Sequence, residues 1–546
     1  MGGYPARVRR SIPLPALRVG PALVALLSVL LVTGCGSQRV SAHLHLPPSR
    51  RHSLQSIFQA VPQLEVDPSG TLDTLKKLGV DRVRVVLPWN AIAPDPRSSR
   101  LPARFDATDP AAYPARNWAI YDTIVRDAAA RGIGLDLTLS APPPRWAEGR
   151  GAPQPSAHTY WKPSAREFGD FVKAVATRYS GSYKASRFSS RLPRVDFWAI
   201  WNEPNYGIDL APQATDDSTV EVAPRLYRGL VDAAWTALHA TGHGGDTILI
   251  GELAPRGITV PSNLYPGNFS GMVPLRFLRA LYCVDSSYHS LRGAAAAARG
   301  CPASAAGTAA FAAVHPALFH ASGFSDHPYP QEMAPNVGTP GEPDYTDLPV
   351  LPRLERVLDT LQRAYGSATH LPIYSTEYGY RTDPPEIGAT PGAQAAYYLN
   401  WAQYVSWRDP LVRSYDQYEL IDSAGTSFPT GLLFADGAPK PTFYAYRLAL
   451  YLPATSTRAG QPLEVWGCVR PARFAKRETG RNQQVKIQFE PDSRGPFRTV
   501  RTLTLRDPYG YFDVLQRFAS SGALRLTWSY PHGPAVLSRT VSVMIR

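Results

Sequence analysis

The stretch from Arg194 to Tyr206 constrains the fold more than any other. Its Val195, Phe197, Trp198, Ile200 and Trp201 form a nearly continuous apolar run. The run is too short for an ordinary helix and suits a strand buried on both faces, as in a parallel sheet. Asn202 and Glu203 follow at once. Pro204 cannot donate to a sheet ladder, so the strand must finish there with Glu203 at its C-terminal end. Apolar walls such as Trp198 and Trp201 disfavour the charged carboxylate, so this group should keep its proton towards neutral pH, as a general acid must. The plain alternative is a helix N-cap or a surface ion pair.

Leu371 to Tyr380 repeats the pattern, a short strand ending in Glu377. It follows the helical segment Val350–Tyr365, whose Leu351, Leu354, Val357, Leu358 and Leu361 recur at three and four residues. The chain between the two glutamates is long enough for three further strand–helix units. Strands are predicted at Leu54–Gln59, Val80–Leu87, Gly132–Leu139 and Thr247–Pro255, at a sixth ending in Phe324–Pro330, and at Leu411–Leu420. Helices are predicted at Thr71–Gly79, Trp118–Arg131, Ser164–Tyr179, Arg225–Ala240, Pro274–Tyr282, Pro391–Trp407 and Phe443–Leu450. This alternation predicts an α/β chain with a (β/α)8 barrel over residues 52–451. Beyond Leu452 the segments are short, alternating and divided by Gly, Pro, Asp and Ser, which predicts an Ig-like β-sandwich over 452–546. Tyr509, Tyr511, Trp528 and Tyr530 there are either core or a sugar-binding face.

Two glutamates at the tops of two strands of one barrel can converge on one glycosidic bond. Trp201-Asn202-Glu203-Pro204 and Thr376-Glu377-Tyr378-Gly379, in that order, resemble motifs of the retaining (β/α)8 glycoside hydrolases of clan A, in particular the cellulase-like family 5 and the related family 39. The resemblance spans roughly Leu54 to Tyr451. It implies an enzyme that cleaves O-glycosidic bonds of a poly- or oligosaccharide, without metal or organic cofactor. Glu203 would be acid/base and Glu377 nucleophile. Arg84, or alternatively Arg82, would sit beside the nucleophile; Asn202 would bond the sugar 2-hydroxyl, His327 would contact substrate, and the Tyr329 hydroxyl would bond the nucleophile. Glu252, near the same mouth, is the rival to Glu377, but it follows the acid by only one strand. The loop Ser140–Trp146 lacks the histidine usual in family 5, which leans towards family 39, and offers Trp146 as a substrate contact. Where clan members often carry a tryptophan floor at strand eight, the candidates here are Tyr415, Gln417, Tyr418 and Glu419. The competing class is a non-catalytic carbohydrate-binding surface lipoprotein on the same barrel.

Residues 1–35 stand apart. Arg7, Arg9, Arg10 and Arg18 precede an apolar run, Ala22–Val32, shorter than the ~20 residues a spanning helix needs. Val32-Thr33-Gly34-Cys35 resembles a bacterial lipoprotein signal, which implies lipidation of Cys35 and anchorage to the outer face of the cell membrane; ordinary secretion is the alternative, and Arg9-Arg10 hints at twin-arginine export. Residues 36–51 would be a tether. Export implies an oxidising compartment, in which Cys283 and Cys301 should staple the Ala/Gly/Ser-rich excursion between them, leaving Cys468 a buried free thiol. No cysteine spacing matches a zinc site. The net charge of +13 favours an anionic neighbour such as a membrane surface or an acidic polymer. No dense Lys/Arg run or aromatic-interleaved basic helix argues for nucleic acid. A monomer is expected.

Overall fold

The computed structural model describes residues 54–152, 160–187, 189–215, 218–258, 271–492 and 495–546. Cys35 and the leader lie outside the described residues. Eight parallel strands close into a barrel: Gln55–Gln59, Arg82–Pro88, Gly134–Ser140, Phe197–Ile200, Thr247–Leu253, Gly323–Asp326, Ile373–Ser375 and Val412–Tyr418. Neighbours in sequence are neighbours in space, and Gln55 opposite Ser414 closes the ring. Principal outer helices are Pro68–Leu78, Ala115–Arg131, Ala165–Arg178, Ala223–Ala240, Pro274–Leu281, Leu351–Ala364, Gly392–Arg408 and Pro441–Arg447. Their apolar stripes face the strands; in Leu351–Ala364 the leucines 351, 354, 358 and 361 are all buried. Parallel strands present all their C-terminal ends at one rim, so side chains that follow the strands converge there.

Strands four and seven are only four and three residues long, because each chain leaves the ladder to deliver its glutamate. Trp201 and Glu203 take φ of 73° and 37°, a left-handed conformation that side chains with a Cβ adopt only under constraint.

Between strands five and six the excursion closed by Cys283 and Cys301, with Cα atoms 5.6 Å apart, carries one short helix, Gly293–Ala298, and a second, Ala305–Val314, follows it. The stapling expected from the sequence is present, and Cys468 is free and buried. Burial pushes the Cys468 thiol up to about 12.

Leu448–Leu450, expected to end the last helix, instead belongs to Leu448–Tyr451, the first strand of the C-terminal sandwich, paired antiparallel with Leu463–Val469. All four of its residues are buried, and that cross-strand packing overrides helical continuation. The sandwich consists of a three-stranded and a six-stranded sheet around Leu450, Val465, Ile487, Leu524 and Leu526. It packs on the N-terminal rim of the barrel, opposite the mouth. Arg473 pairs with Asp81, which precedes strand two, and Arg477 donates to the carbonyl of Gly132, which precedes strand three. Gly79 is obligatory at this contact: its φ is +82°, and a Cβ there would lie 2.2 Å from the backbone of Arg470.

The sandwich aromatics take part in this junction or in the core. Tyr511 accepts from Gln403 of the barrel at 3.0 Å and stacks on Trp407. The Tyr509 hydroxyl accepts from Gln55, that of Tyr530 donates to the Lys77 carbonyl, and Trp528 is buried. A sugar-binding face built on these four is therefore not formed. Among the described residues no helix is long and apolar enough to cross a membrane.

Candidate active site

At the C-terminal rim lies a cavity of about 400 Å³ bordered by Glu203, Glu377, Tyr206, Tyr329, Tyr418 and Phe428, with Arg256 and Arg381 at its side. Its floor is a charged lattice organised by Arg84, the third residue of strand two, whose side chain is wholly buried. Nη1 of Arg84 donates to Glu377 Oε1 at 2.6 Å and to Gln59. Nη2 donates to Glu252 Oε2 at 2.6 Å and to Asn202 Oδ1 at 2.8 Å. Arg82, the alternative from the sequence, sits lower, bonded to the Leu135 carbonyl and lying over the ring of Phe197.

The two glutamates of the mouth differ in their surroundings. Glu377 takes a second hydrogen bond from the Tyr329 hydroxyl at 2.9 Å. Glu203 takes one bond, 2.9 Å, from Nδ1 of His327. Burial raises the pKa of Glu203, against the opposing pull of His327, so its carboxyl retains a proton to higher pH than a solvated glutamate. One oxygen from each glutamate and a ring nitrogen of His327 all lie within 4.8 Å of one another.

Glu252 occupies a different place. Its side chain is completely inaccessible, and Arg84, His327 and the Thr376 hydroxyl, at 2.9 Å, occupy its oxygens. Burial alone would raise its pKa, but Arg84 and His327 bring it down to about 2. Strand five is irregular at this point: Gly251 and Glu252 have φ of 113° and 51°, and the pairing with strand six shifts between Gly251 and Leu253. Glu252 is thus an internal counter-charge, with no face open to a substrate. His327 is the complementary cation: burial would lower its pKa, yet Glu377, Glu203 and Glu252 hold it well above the ordinary histidine range. Arg84 pairs with both Glu252 and Glu377, and His327 bridges Glu252 and Glu203.

Glu203, His327 and Glu377 are spaced closely enough to hold a metal ion. The chemistry of the set argues against one, because a histidine ligand must offer a free lone pair. Here both ring nitrogens are already engaged, Nδ1 with Glu203 and Nε2 with Glu252.

Of the residues predicted from sequence, Arg84, Asn202, Glu203, His327, Tyr329 and Glu377 assemble at this site. Asn202 is held between Arg84 and Asp209. Trp146 does not border the cavity: its N–H bonds the Pro94 carbonyl at 3.1 Å and its ring packs edge-on against Trp89 and Phe105. The stiff loop that carries it turns back onto the helix side of the barrel. Among the strand-eight candidates Tyr418 reaches the cavity, whereas Tyr415 is a core residue bonded to the Leu399 carbonyl. Gln417 is tied to the Tyr418 and Thr430 carbonyls, and Glu419 is buried outside the cavity lining.

Sequence reasoning missed Gln59, Thr376, Asp209 and Phe428. Adjacency to Glu377 was a usable signal for Thr376, whereas Gln59 closes a strand that already contains Gln55 and Ser56 and so did not stand out. Phe428 sits in a Ser/Pro loop and gave none.

No protein-family model matches the sequence, and no curated protein matches it. Among solved structures the fold is similar to a family 39 glycoside hydrolase from the gut symbiont Bacteroides cellulosilyticus WH2, at 15% identity and TM-score 0.43 over 86% of this chain and 80% of that one. It is also similar to a family 1 β-glucosidase from Thermotoga maritima, at 16% identity and TM-score 0.43 over 69% and 84%. A β-glucosidase from Exiguobacterium marinum matches at 14% identity and TM-score 0.42 over 73% and 97%. Likenesses this remote carry no functional argument, and the chemistry of the site rests on its own residues.

Proposed function

We propose that the protein is a retaining glycoside hydrolase of the clan A type, acting on an oligo- or polysaccharide. The observation that carries the reading is the pair Glu203 and Glu377 across one cavity, with oxygens within 4.8 Å, Glu377 bonded to Arg84 and Glu203 with its pKa raised by burial. Retaining enzymes hold their carboxyl groups about 5–5.5 Å apart, whereas inverting ones need about 6.5–9.5 Å to admit a water.

In the first half-reaction Glu203 donates its proton to the glycosidic oxygen as the bond to the anomeric carbon breaks. Glu377 forms a bond to that carbon from the opposite face, giving a glycosyl ester and a free alcohol. Glu203, now a carboxylate, then removes a proton from water as the water attacks the same carbon. Glu377 leaves, and two inversions restore the starting configuration. Tyr329 and Arg84 stabilise Glu377 as it departs. His327 donates to one oxygen of Glu203, which leaves the other to face the leaving group. Tyr418 and Phe428 offer aromatic faces to the sugar.

The experiment is anion rescue. Glu377→Ala should lose turnover on every substrate, and azide should restore it with a glycosyl azide of inverted configuration. Glu203→Ala should still glycosylate itself from a dinitrophenyl glycoside, and azide should release a product of retained configuration. Exchanged stereochemistry would exchange the roles, and no effect of either substitution would remove the proposal.

We further propose that Cys35 is acylated and anchors the chain outside the cell membrane. Labelling by a fatty-acid analogue, absent in Cys35→Ala, is the expected result; an unlabelled wild type would overturn it.

A further inference from the structure

The charge of this chain is unevenly distributed. Residues 448–546, the sandwich, hold fifteen Lys and Arg against six Asp and Glu, a net of +9. Residues 52–447 hold 35 against 38, a net of −3. The part containing the cavity is therefore slightly acidic, and most of the chain's positive charge lies in an appendage that does not touch the cavity.

Part of that charge gathers where the sandwich meets the barrel. The helix Ala472–Thr479 lies against the N-terminal rim of the barrel and carries Arg473, Lys476 and Arg477, with Glu478 as its one acidic residue. Lys76 of the barrel, Arg473 and Arg477 all ring Phe474, at 6.0, 5.3 and 6.0 Å from its centroid. Lys76, Lys77, Lys476, Arg477, Arg481 and Arg506 are exposed. Two of the acids near them are paired, Asp81 with Arg473 and Asp73 with Arg131, which leaves Glu478 as the acid within the patch. Among the described residues Lys476, Arg477 and Arg481 form no ion pair.

The chain enters the barrel beside this patch. Strand one starts at Gln55, whose side chain donates to Tyr509, and Arg473 lies 5.8 Å from the ring of Tyr509. Fewer than twenty residues separate Leu54 from Cys35. At about 3.6 Å per residue they span at most about 70 Å.

We propose that this face of the sandwich is a docking surface for an anionic phospholipid bilayer, which it meets with the mouth of the barrel turned away. Charge complementarity and the point at which the N-terminal segment leaves the barrel favour a bilayer over an acidic polysaccharide. A chain entering the cavity would have to cross the whole barrel to reach the opposite rim. Basic residues near an anionic surface contribute about 1 kcal/mol each, about a fivefold change in affinity, and the attraction decays within a Debye length. The surface stands independently of acylation, because the charge is the protein's own.

The test uses the unacylated chain from Gly36 onward, which contains the entire barrel and sandwich, sedimented with phosphatidylcholine vesicles with and without phosphatidylglycerol. Binding is expected only with phosphatidylglycerol, and raised salt should abolish it. The triple variant Lys476→Gln, Arg481→Gln, Arg506→Gln, which spares the Arg477 contact to the barrel, should bind about 100-fold more weakly while its thermal transition and its activity are unchanged. Equal binding to both vesicles, undiminished binding by the triple variant, or retention on polygalacturonate with none on vesicles would each overturn the proposal. None of these outcomes depends on whether Glu203 and Glu377 are catalytic.

Discussion

Replacing Arg84 by methionine removes the one guanidinium that both Glu252 and Glu377 face, at 2.6 Å each, and keeps a side chain of similar reach. Leaving a buried charge without its partner costs about 3–5 kcal/mol. Glu252 is held down to about 2 against its burial, with Arg84 the largest of the groups that lower it and His327 next. The sign follows from the depressed pKa. This contribution is fully present above the unfolded value of 4.5 and is lost as pH falls towards about 2. The gap between wild type and Arg84→Met should therefore be about 3–5 kcal/mol at pH 7 and shrink as pH falls from 4.5 towards about 2. Urea denaturation followed by tryptophan fluorescence at several pH values reads it directly. A gap that is the same at both ends of the range, or a variant as stable as the wild type at pH 7, would refute the lattice described for the cavity floor.

The other expectations are more compact. His327→Gln removes a cation that lowers the pKa of Glu203, so the alkaline limb of the activity profile should move to higher pH; a downward move would contradict the assignment of Glu203 as the acid. Tyr329→Phe removes a hydrogen bond to a carboxylate, worth about 1.5–3 kcal/mol, so kcat/KM should fall roughly 10- to 100-fold with the fold intact, and an unchanged value would detach Tyr329 from Glu377. Replacing Cys283 and Cys301 by serine should cost roughly 3 kcal/mol in local opening, seen as faster amide exchange confined to residues 284–322. Uniformly faster exchange across the barrel would show that the staple supports more than its own excursion.

The barrel was legible because its strands are short apolar runs and its helices show a three–four repeat, two periods that cannot be confused over eight units. Glu203 and Glu377 were legible for a related reason, since each terminates a buried run and a parallel barrel brings all such ends to one rim. What failed depended on contacts distant in sequence. Leu448–Tyr451 continues a helical pattern, but its partner Leu463–Val469 makes it a strand. Trp146 sits in a loop on the correct side of strand three, yet Trp89 and Phe105 provide a closer apolar neighbour than the cavity does. Glu252 stood as the rival to Glu377, ranked below it only for following the acid by one strand, and the burial of its carboxylate under Arg84 and His327 is what marks it as a counter-charge. The tyrosines and tryptophan of the sandwich had no sequence signal for the rim they cover.

The most direct measurement is the identity of the covalently modified residue. Incubation with a panel of dinitrophenyl 2-deoxy-2-fluoroglycosides slows both half-reactions, but the activated leaving group keeps the first fast enough for the glycosyl-enzyme to accumulate. Peptide mass spectrometry should then place one sugar on Glu377, and Glu377→Ala should take up none. A sugar on Glu252 or Glu203, or rapid hydrolysis of a natural glycoside with inversion at the anomeric carbon, would contradict the account.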